Sequence, residues 1–347
     1  MHWYVTGGAG FIGSAFVRRL IASGEKVTVA DKLTYAGHLS SLESVRQNDN
    51  FRFDRIDICN VEDVRNSLKA ARPDALVHLA AESHVDRSIT GARDFIETNV
   101  IGTFNLLEAV RGYWGGLNAA ARGAFRLLHV STDEVFGSLG ETGFFSEETR
   151  YDPRSPYSAS KAASDHLVKA WGHTYGLPVI VSNCSNNYGP YQLPEKLIPL
   201  TILNAIEGAD LPVYGDGLNV RDWLHVDDHA AALELIARRG RVGETYAVGG
   251  LNERTNIEVV HRICDTLDSL RPAEFRYRDL IRFVEDRPGH DRRYAIDATK
   301  LKTELGWSPA YTFESGLTET VSWYLENDSW WNPLRMTGHG KSRLGSL

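Results

Sequence analysis

A short apolar strand, His2 to Val5, runs straight into Thr6-Gly7-Gly8-Ala9-Gly10-Phe11-Ile12-Gly13, and a helical apolar pattern through Phe16, Val17, Leu20 and Ile21 follows at once. A strand, a glycine turn and a helix in immediate succession leave few folds open, because this is the first crossover of a parallel sheet. Gly8, Gly10 and Gly13 satisfy G-x-G-x-x-G, and Gly7, Gly10 and Gly13 satisfy G-x-x-G-x-x-G. Such glycines permit a tight turn and let the backbone approach a pyrophosphate at the helix N-terminus. The motif alone is common. Here a second strand, Lys26 to Ala30, follows the helix and ends at Asp31. An acid about 20 residues past the turn accepts ribose hydroxyls. It repels a 2′-phosphate, so NAD is expected rather than NADP, with Lys32 weakening that preference slightly.

The alternation continues. Phe51 to Arg55 reads as a third strand followed by Asp57-Ile58, Glu62 to Ala71 as a helix, and Ala75 to Leu79 as a fourth strand. Arg93 to Val110 reads as one long helix carrying Thr98 and Asn99, and Phe125 to Ser131 as a strand. Ser155 to Tyr175 is the next helix, with Pro156 in its first turn, and Pro178 to Cys184 the next strand. Strand and helix alternate about six times, which predicts an α/β fold built on a doubly wound parallel sheet of Rossmann type. The character changes after Pro190. The expected organisation is a Rossmann domain over 1–185, to which some later segments return, a smaller α/β domain over 186–331, and a frayed, Gly-, Ser- and basic-rich tail over 332–347.

The chemistry concentrates at Ser131-Thr132-Asp133-Glu134-Val135-Phe136-Gly137. Two adjacent acids follow a buried apolar strand, and open parallel sheets hold their ligands at strand carboxyl ends. Tyr157 and Lys161, four apart, share a helix face. An ammonium near a phenol favours the phenolate. One neighbourhood thus holds a phenol base, two carboxyl groups and a threonine hydroxyl. An isolated Asp-Glu pair is usually a solvated loop, and Tyr-x-x-x-Lys arises often by chance; together, downstream of the glycine turn, they are expected to form a site. His84 has no ligand-spaced partners and is expected to be structural.

Composition excludes several classes. A net charge of -7 gives no footprint for nucleic acid, and no run is long enough to span a bilayer. Three scattered cysteines, Cys59, Cys184 and Cys264, match neither a disulfide framework nor a zinc site, and no metal is expected. The N-terminus enters a strand almost at once, so no signal peptide is expected, and a reducing cytoplasm is the predicted compartment.

Jointly these motifs resemble the extended short-chain dehydrogenase/reductase superfamily, and within it the 4,6-dehydratases of dTDP-glucose, from Thr6 to about Trp331. Thr132-Asp133-Glu134 with Tyr157 and Lys161 carries most of the resemblance. Leu79 to Asp86, Asn183 to Tyr191, Pro194 to Pro199, Arg221-Asp222-Trp223 and Asp286 to Asp291 support it, and Gln192-Leu193 departs from the usual His-Phe. The resemblance implies a homodimer paired through helices like those at 93–113 and 155–175. It implies that Gly7, Gly10, Phe11, Ile12, Gly13, Asp31, Lys32, Leu33, Thr34, Asp57, Ile58, Leu79, Ala80, Ala81, Ser83, Thr98 and Asn186 line NAD, with Tyr157 and Lys161 beside it. Ser83, Thr132, Asn187, Glu195, Lys196, Leu197, Pro212, Val213, Tyr214, Arg221, Asn256, Arg287 and His290 are implied to hold dTDP-glucose, and Thr132, Asp133, Glu134, Tyr157 and Lys161 to be catalytic.

Two rivals stand beside this reading. One is a 4-epimerase or a 4,6-dehydratase for another base; the acid pair speaks against the epimerase, where a small or hydroxyl residue usually stands. The other is a non-catalytic NAD-binding protein, which has no use for two acids.

Overall fold

The computed structural model describes residues 1–286 and 290–336. Seven parallel strands form the main sheet: β1 (His2–Thr6), β2 (Lys26–Asp31), β3 (Phe51–Arg55), β4 (Ala75–His78), β5 (Arg126–Thr132), β6 (Val179–Cys184) and, after an excursion, β10 (Thr245–Val248). Two short strands, β7 (Asn186–Tyr188) and β8 (Leu211–Tyr214), and then β9 (Val220–His225) precede β10; β11 (Glu253–Thr255) and β12 (Ile281–Val284) follow it. The main sheet's order is β3-β2-β1-β4-β5-β6-β10. The order reverses between β1 and β4, and that switch point is where a doubly wound sheet binds its ligand.

Burial explains why these runs are strands. Val27, Val29, Leu76, Val77, Leu127, Leu128, Ile180 and Val181 are at most 2% exposed, the continuous apolar signature of a sheet covered on both faces. Helices α1 (Phe11–Ala22) and α2 (Val61–Ala71) lie on opposite faces. The short helices α3 (Val85–Thr90) and α4 (Ala92–Phe95) come next, then α5 (Thr103–Gly115), α6 (Ala119–Ala124) and α7 (Pro156–Tyr175). The α5 and α7 helices pack beside α2 over Tyr4, Leu68, Leu107 and Val181. On the other face α1 packs with α9 (Val226–Arg239), after α8 (Leu197–Ile206).

A separate core joins α8, α10 (Asn256–Leu270), α12 (Phe313–Glu326) and the strands β8 and β9 through Ile202, Val213, Trp223, Ile263 and Phe313. Between α10 and α12, α11 (Thr299–Leu305) packs back onto the main sheet through Leu301. In this lobe β7 and β11 flank β9, and β12 pairs with β8.

Two elements differ from the sequence expectation. The single long helix over 93–110 is three segments: α4, a π-helical stretch Ile96–Gly102 and α5. The wider turn carries Thr98 and Asn99 inward, a placement common for π segments at functional sites. The tail expected to fray from Asn332 begins as helix α13 (Asp328–Met336). Two buried anchors explain it. Trp330 Nε1 donates to Ser41 Oγ at 3.2 Å, and Arg335 pairs with Glu207 at 2.7 Å while donating to Asn204 Oδ1 at 2.8 Å.

Candidate active site

The turn after β1 is built for a close approach. Gly7 has φ +69°, and a Cβ there would stand 2.6 Å from the Ala80 nitrogen. A Cβ on Gly13 would meet the Gly7 carbonyl oxygen at 2.1 Å. Asp31, at the end of β2, is nearly buried. Its Oδ2 accepts from Ala9 N at 3.0 Å and its Oδ1 from Leu33 N at 2.8 Å. Burial raises its pKa, and these two amides and Lys32 oppose that rise.

The turn opens into a cavity of about 310 Å³ that follows the switch point from Asp31 to Tyr157. Every predicted cofactor residue lines it except Leu33, whose amide instead fixes Asp31. Of the predicted substrate residues, Ser83, Thr132, Asn187 and Lys196 line the cavity.

The other described ones are held as follows. Val213 and Leu197 pack in the second core or against it, Pro212 and Tyr214 stand on β8, and Asn256 opens α10. Glu195 sits 3.4 Å from both His84 Nε2 and Arg87 Nη2, so its carboxylate is engaged inside the protein. The Arg221 guanidinium lies 4.3 Å from the Tyr294 ring centre and donates to Asp291 O. His290 Nδ1 lies 2.6 Å from Asp286 Oδ1, and Arg287 falls outside the described residues. Residues given no role from the sequence line the cavity too: Ser131, Cys184, Ser185, Gln192 and Leu193. Their signal was membership of a run: Ser131 heads the stretch with Asp133 and Glu134, and Cys184 and Ser185 lie between Asn183 and Tyr191. Gln192 stood out as a departure from the family pattern; its Nε2 donates to Asn187 O at 2.8 Å.

The five predicted catalytic residues come together at the carboxyl end of β5. Thr132 caps the 3-10 turn Asp133–Phe136: its Oγ1 accepts from Glu134 N at 3.2 Å and donates to Asp133 Oδ1 at 3.3 Å. Asp133 is 2% exposed, and its Oδ2 has no hydrogen-bond partner among the described residues. Burial, then Glu134 and Asp222, push the Asp133 pKa well above the usual carboxylate range, against Arg221 and Thr132. The protonated form of Asp133 is thereby favoured, the form that can give a proton as a hydrogen-bond donor or an acid catalyst does.

Tyr157 and Lys161 come from α7, whose start is set by a capping box at Ser155 and Ser158 with Pro156 at the first turn. Lys161 Nζ donates to Val130 O at 2.9 Å, and burial lowers its pKa. Tyr157 is held well above its usual pKa by burial, then Glu134 and Cys184. The phenol made easier to ionise by Lys161, as the spacing predicted, is thus not what these side chains produce alone. Enclosure and the neighbouring carboxylate outweigh the helical neighbour.

The glycine cradle and the acceptor at Asp31 fit a dinucleotide: the cradle's close backbone leaves room for phosphates, and the carboxylate meets ribose hydroxyls. Comparison with known proteins agrees. A family model described as GDP-mannose 4,6 dehydratase matches residues 4–320. A probable dTDP-glucose 4,6-dehydratase of Sinorhizobium fredii is 60% identical over 347 residues, covering 100% of this chain and 99% of the relative. The crystal structure of dTDP-glucose 4,6-dehydratase from Streptomyces venezuelae with NAD and TYD bound is 47% identical with a TM-score of 0.88, covering 96% of this chain and 100% of that one. That of the Bacillus anthracis dTDP-glucose 4,6-dehydratase in complex with NAD is 50% identical with a TM-score of 0.86, covering 96% and 99%.

Proposed function

This chain belongs to the GDP-mannose 4,6 dehydratase family, and on that premise we infer that it converts dTDP-glucose to dTDP-4-keto-6-deoxyglucose and water with tightly bound NAD. The observation that carries the reading is Asp133, a buried carboxyl whose pKa is raised by burial and by Glu134 beside it. A 4-epimerase moves a hydride and the 4-hydroxyl proton and has no use for an acid that expels water.

Each group then has a task. When bound, NAD would supply the hydride acceptor for C4 and the hydride returned to C6. Tyr157 takes the proton of the sugar 4-hydroxyl as hydride leaves C4. Lys161 contributes the positive charge that brings so strongly raised a phenol toward reach. The new 4-ketone acidifies the C5 hydrogen, and Glu134 removes it. Asp133 gives its proton to the departing 6-hydroxyl, and water leaves. After hydride adds to C6, Glu134 returns a proton to C5. The proton gained by Tyr157 equals the one lost by Asp133, so exchange restores the site after each turnover. Thr132 holds Asp133 and the Glu134 amide in one turn.

The lobe of residues 1–185 is assigned to NAD and most of 186–331 to the nucleotide sugar. Of the residues lining the cavity, Gly7, Gly10, Phe11, Ile12, Gly13, Asp31 and Thr98 are assigned to NAD in this reading, and Ser83, Asn187 and Lys196 to the nucleotide sugar. A homodimer is supported by Ile96, Ile101, Phe104 and Tyr175, all at least 41% exposed on the paired α5 and α7 region. A cytoplasmic setting is supported by three free cysteines; among the described residues no helix is long and apolar enough to cross a membrane.

The test is incubation of the purified protein with dTDP-glucose, read by the alkaline absorbance of the keto product. UDP-glucose and GDP-mannose run in parallel. Product from dTDP-glucose supports the reading; 4-epimerised sugar, or faster turnover of another base, overturns it.

A further inference from the structure

Below the reacting groups, Asp165 is fully buried on α7, one turn past Lys161 and two past Tyr157. A carboxylate in such a place costs several kcal/mol unless it is paired and hydrogen-bonded. Three segments around it supply donors. From β5, His129 Nε2 lies 3.0 Å from Oδ1 and Ser131 Oγ donates to Oδ2 at 2.8 Å. From the segment before α7, Tyr151 OH donates to Oδ2 at 2.8 Å, and from β6, Asn183 Nδ2 at 3.4 Å.

The same Asn183 Nδ2 donates to the Thr132 carbonyl at 3.0 Å, so Asp165 is one amide away from the turn that carries Asp133 and Glu134. The other titratable groups nearby are Lys161, Cys184 and His78, whose ring centre is 5.1 Å from that of His129. Burial would raise the Asp165 pKa, but the His129 hydrogen bond, Lys161 and Ser131 outweigh it and hold it below the usual range. Burial lowers the Lys161 pKa, and Asp165 is the first charge opposing that fall.

We propose that Asp165 is a positioning residue for the oxidation step: its carboxylate is the buried counter-charge that keeps Lys161 an ammonium, and its hydrogen bonds tie the Tyr157–Lys161 face of α7 to the strand end bearing Thr132, Asp133 and Glu134. The inference builds on the dehydratase reading, because it concerns the charge that assists Tyr157. It leaves Asp165 away from substrate and from every reacting atom.

The experiment follows Lys161 directly. With lysine labelled at Cε and the signal identified by its loss in K161R, NMR titration gives the Lys161 midpoint in the parent, D165N and D165E. Asp165→Asn should lower that midpoint by about one pH unit or more, the size of a close charge effect. In turnover, the same variant should move the alkaline limb of the pH–rate profile to lower pH and slow oxidation at least about 10-fold at neutral pH. Asp165→Glu keeps the charge, so its midpoint and alkaline limb should stay with the parent's even where its rate falls.

An unchanged Lys161 midpoint in D165N, with the rate lowered equally at every pH, would make Asp165 a packing residue and overturn the proposal. Should D165N not fold, a D165E limb displaced from the parent's overturns it equally, and a retained limb supports it. The parent's own turnover of dTDP-glucose is the control for the reading itself; the NMR midpoint stands whether or not that control succeeds.

Discussion

Asn99 Nδ2 donates to Ser160 Oγ at 2.8 Å, joining the π-helical stretch to α7 across the wall of the cavity. The same side chain brackets one residue of the loop after β4: Oδ1 accepts from Glu82 N at 2.8 Å, and Nδ2 donates to Glu82 O at 3.0 Å. Ser160 in turn donates to the Tyr157 carbonyl at 2.7 Å. One buried amide therefore sets the spacing between the loop Ala80–Ser83 and the helix of the phenol.

Replacing it removes all three bonds and leaves their partners unpaired. Asn99→Ala is expected to lower unfolding stability by about 1–3 kcal/mol, the usual cost of buried polar groups left without partners. It should also weaken NAD binding, because Ala80, Ala81 and Ser83 line the cavity. Urea unfolding and NAD titration by intrinsic fluorescence measure both. Unchanged NAD affinity alongside lowered stability would confine Asn99 to packing.

The two acids and the phenol separate kinetically. Tyr157→Phe should slow the first hydride transfer, with little reduced nicotinamide accumulating. Glu134→Gln should permit that oxidation yet lose exchange of the C5 hydrogen into heavy water. Asp133→Asn should retain part of the exchange and lose elimination. General acid-base groups are worth about 100- to 10,000-fold each, so single-turnover absorbance resolves the three. Rapid C5 exchange in Glu134→Gln, or equal loss of oxidation in all three, contradicts the division.

Asp31 is proposed to decide between cofactors. Asp31→Ala should cost NAD affinity at least about 10-fold and raise affinity for NADP, since a carboxylate meets the ribose hydroxyls and repels a 2′-phosphate. Calorimetry with both dinucleotides checks it. Tighter NADP binding by the parent, or no gain by the variant, counts against the assignment.

Asp222 predicts a pH dependence of stability. Burial raises its pKa from 3.8 to about 6, against hydrogen bonds from Asn252 N and Gly250 N. The folded-state pKa lies above the unfolded one, so the folded chain holds this proton more tightly. Its favourable contribution is complete below pH 3.8 and is lost as pH rises through 6. The span corresponds to something on the order of 3 kcal/mol. Asp222→Asn should remove that slope, and chemical denaturation at intervals from pH 4 to 7 compares it with the parent. Parallel curves for the two proteins exclude the effect.

The proposed association of two copies can be disrupted. Ile101 is 48% exposed, and Phe104, 41% exposed, lies edge-on to Trp171 at 5.8 Å. The parent is expected to sediment as a dimer, and Ile101→Glu combined with Phe104→Glu as a monomer. An unaltered dimer would move the interface elsewhere.

Much of the NAD half was legible because it is local. The glycine turn, Asp31 at a strand end and the loop after β4 each lie within a few residues of the element that places them, and the cavity is lined accordingly. The substrate half was less so. Pro212, Tyr214 and Asn256 stand on elements of the second lobe, and their placement relative to the cavity depends on how that lobe packs, which spacing does not encode. The partners of Glu195, His84 and Arg87, lie over a hundred positions earlier in the chain and were not legible from its neighbours. The π stretch was hidden too: a period of 3.6 fits its apolar residues, and only the insertion of Thr98 and Asn99 toward the cavity distinguishes it. The ionisation of Tyr157 reversed its expected direction because enclosure is a property of the whole fold, not of a four-residue interval.

The parallel pairing of β10 with β6 constrains how the protein is born. Thr245 to Val248 register against Val181 to Cys184, and the chain between them builds much of the second lobe. A nascent polypeptide can assemble six strands once β6 emerges, but β6 is then an open edge with unpaired amides, the kind of surface that recruits other chains. Closure waits on the synthesis of roughly 60 further residues, several seconds at about 5–20 residues per second. Slower translation through the excursion is therefore expected to lower the yield of native protein. Ribosome-stalled chains ending before Thr245 should aggregate more readily than those released after Val248.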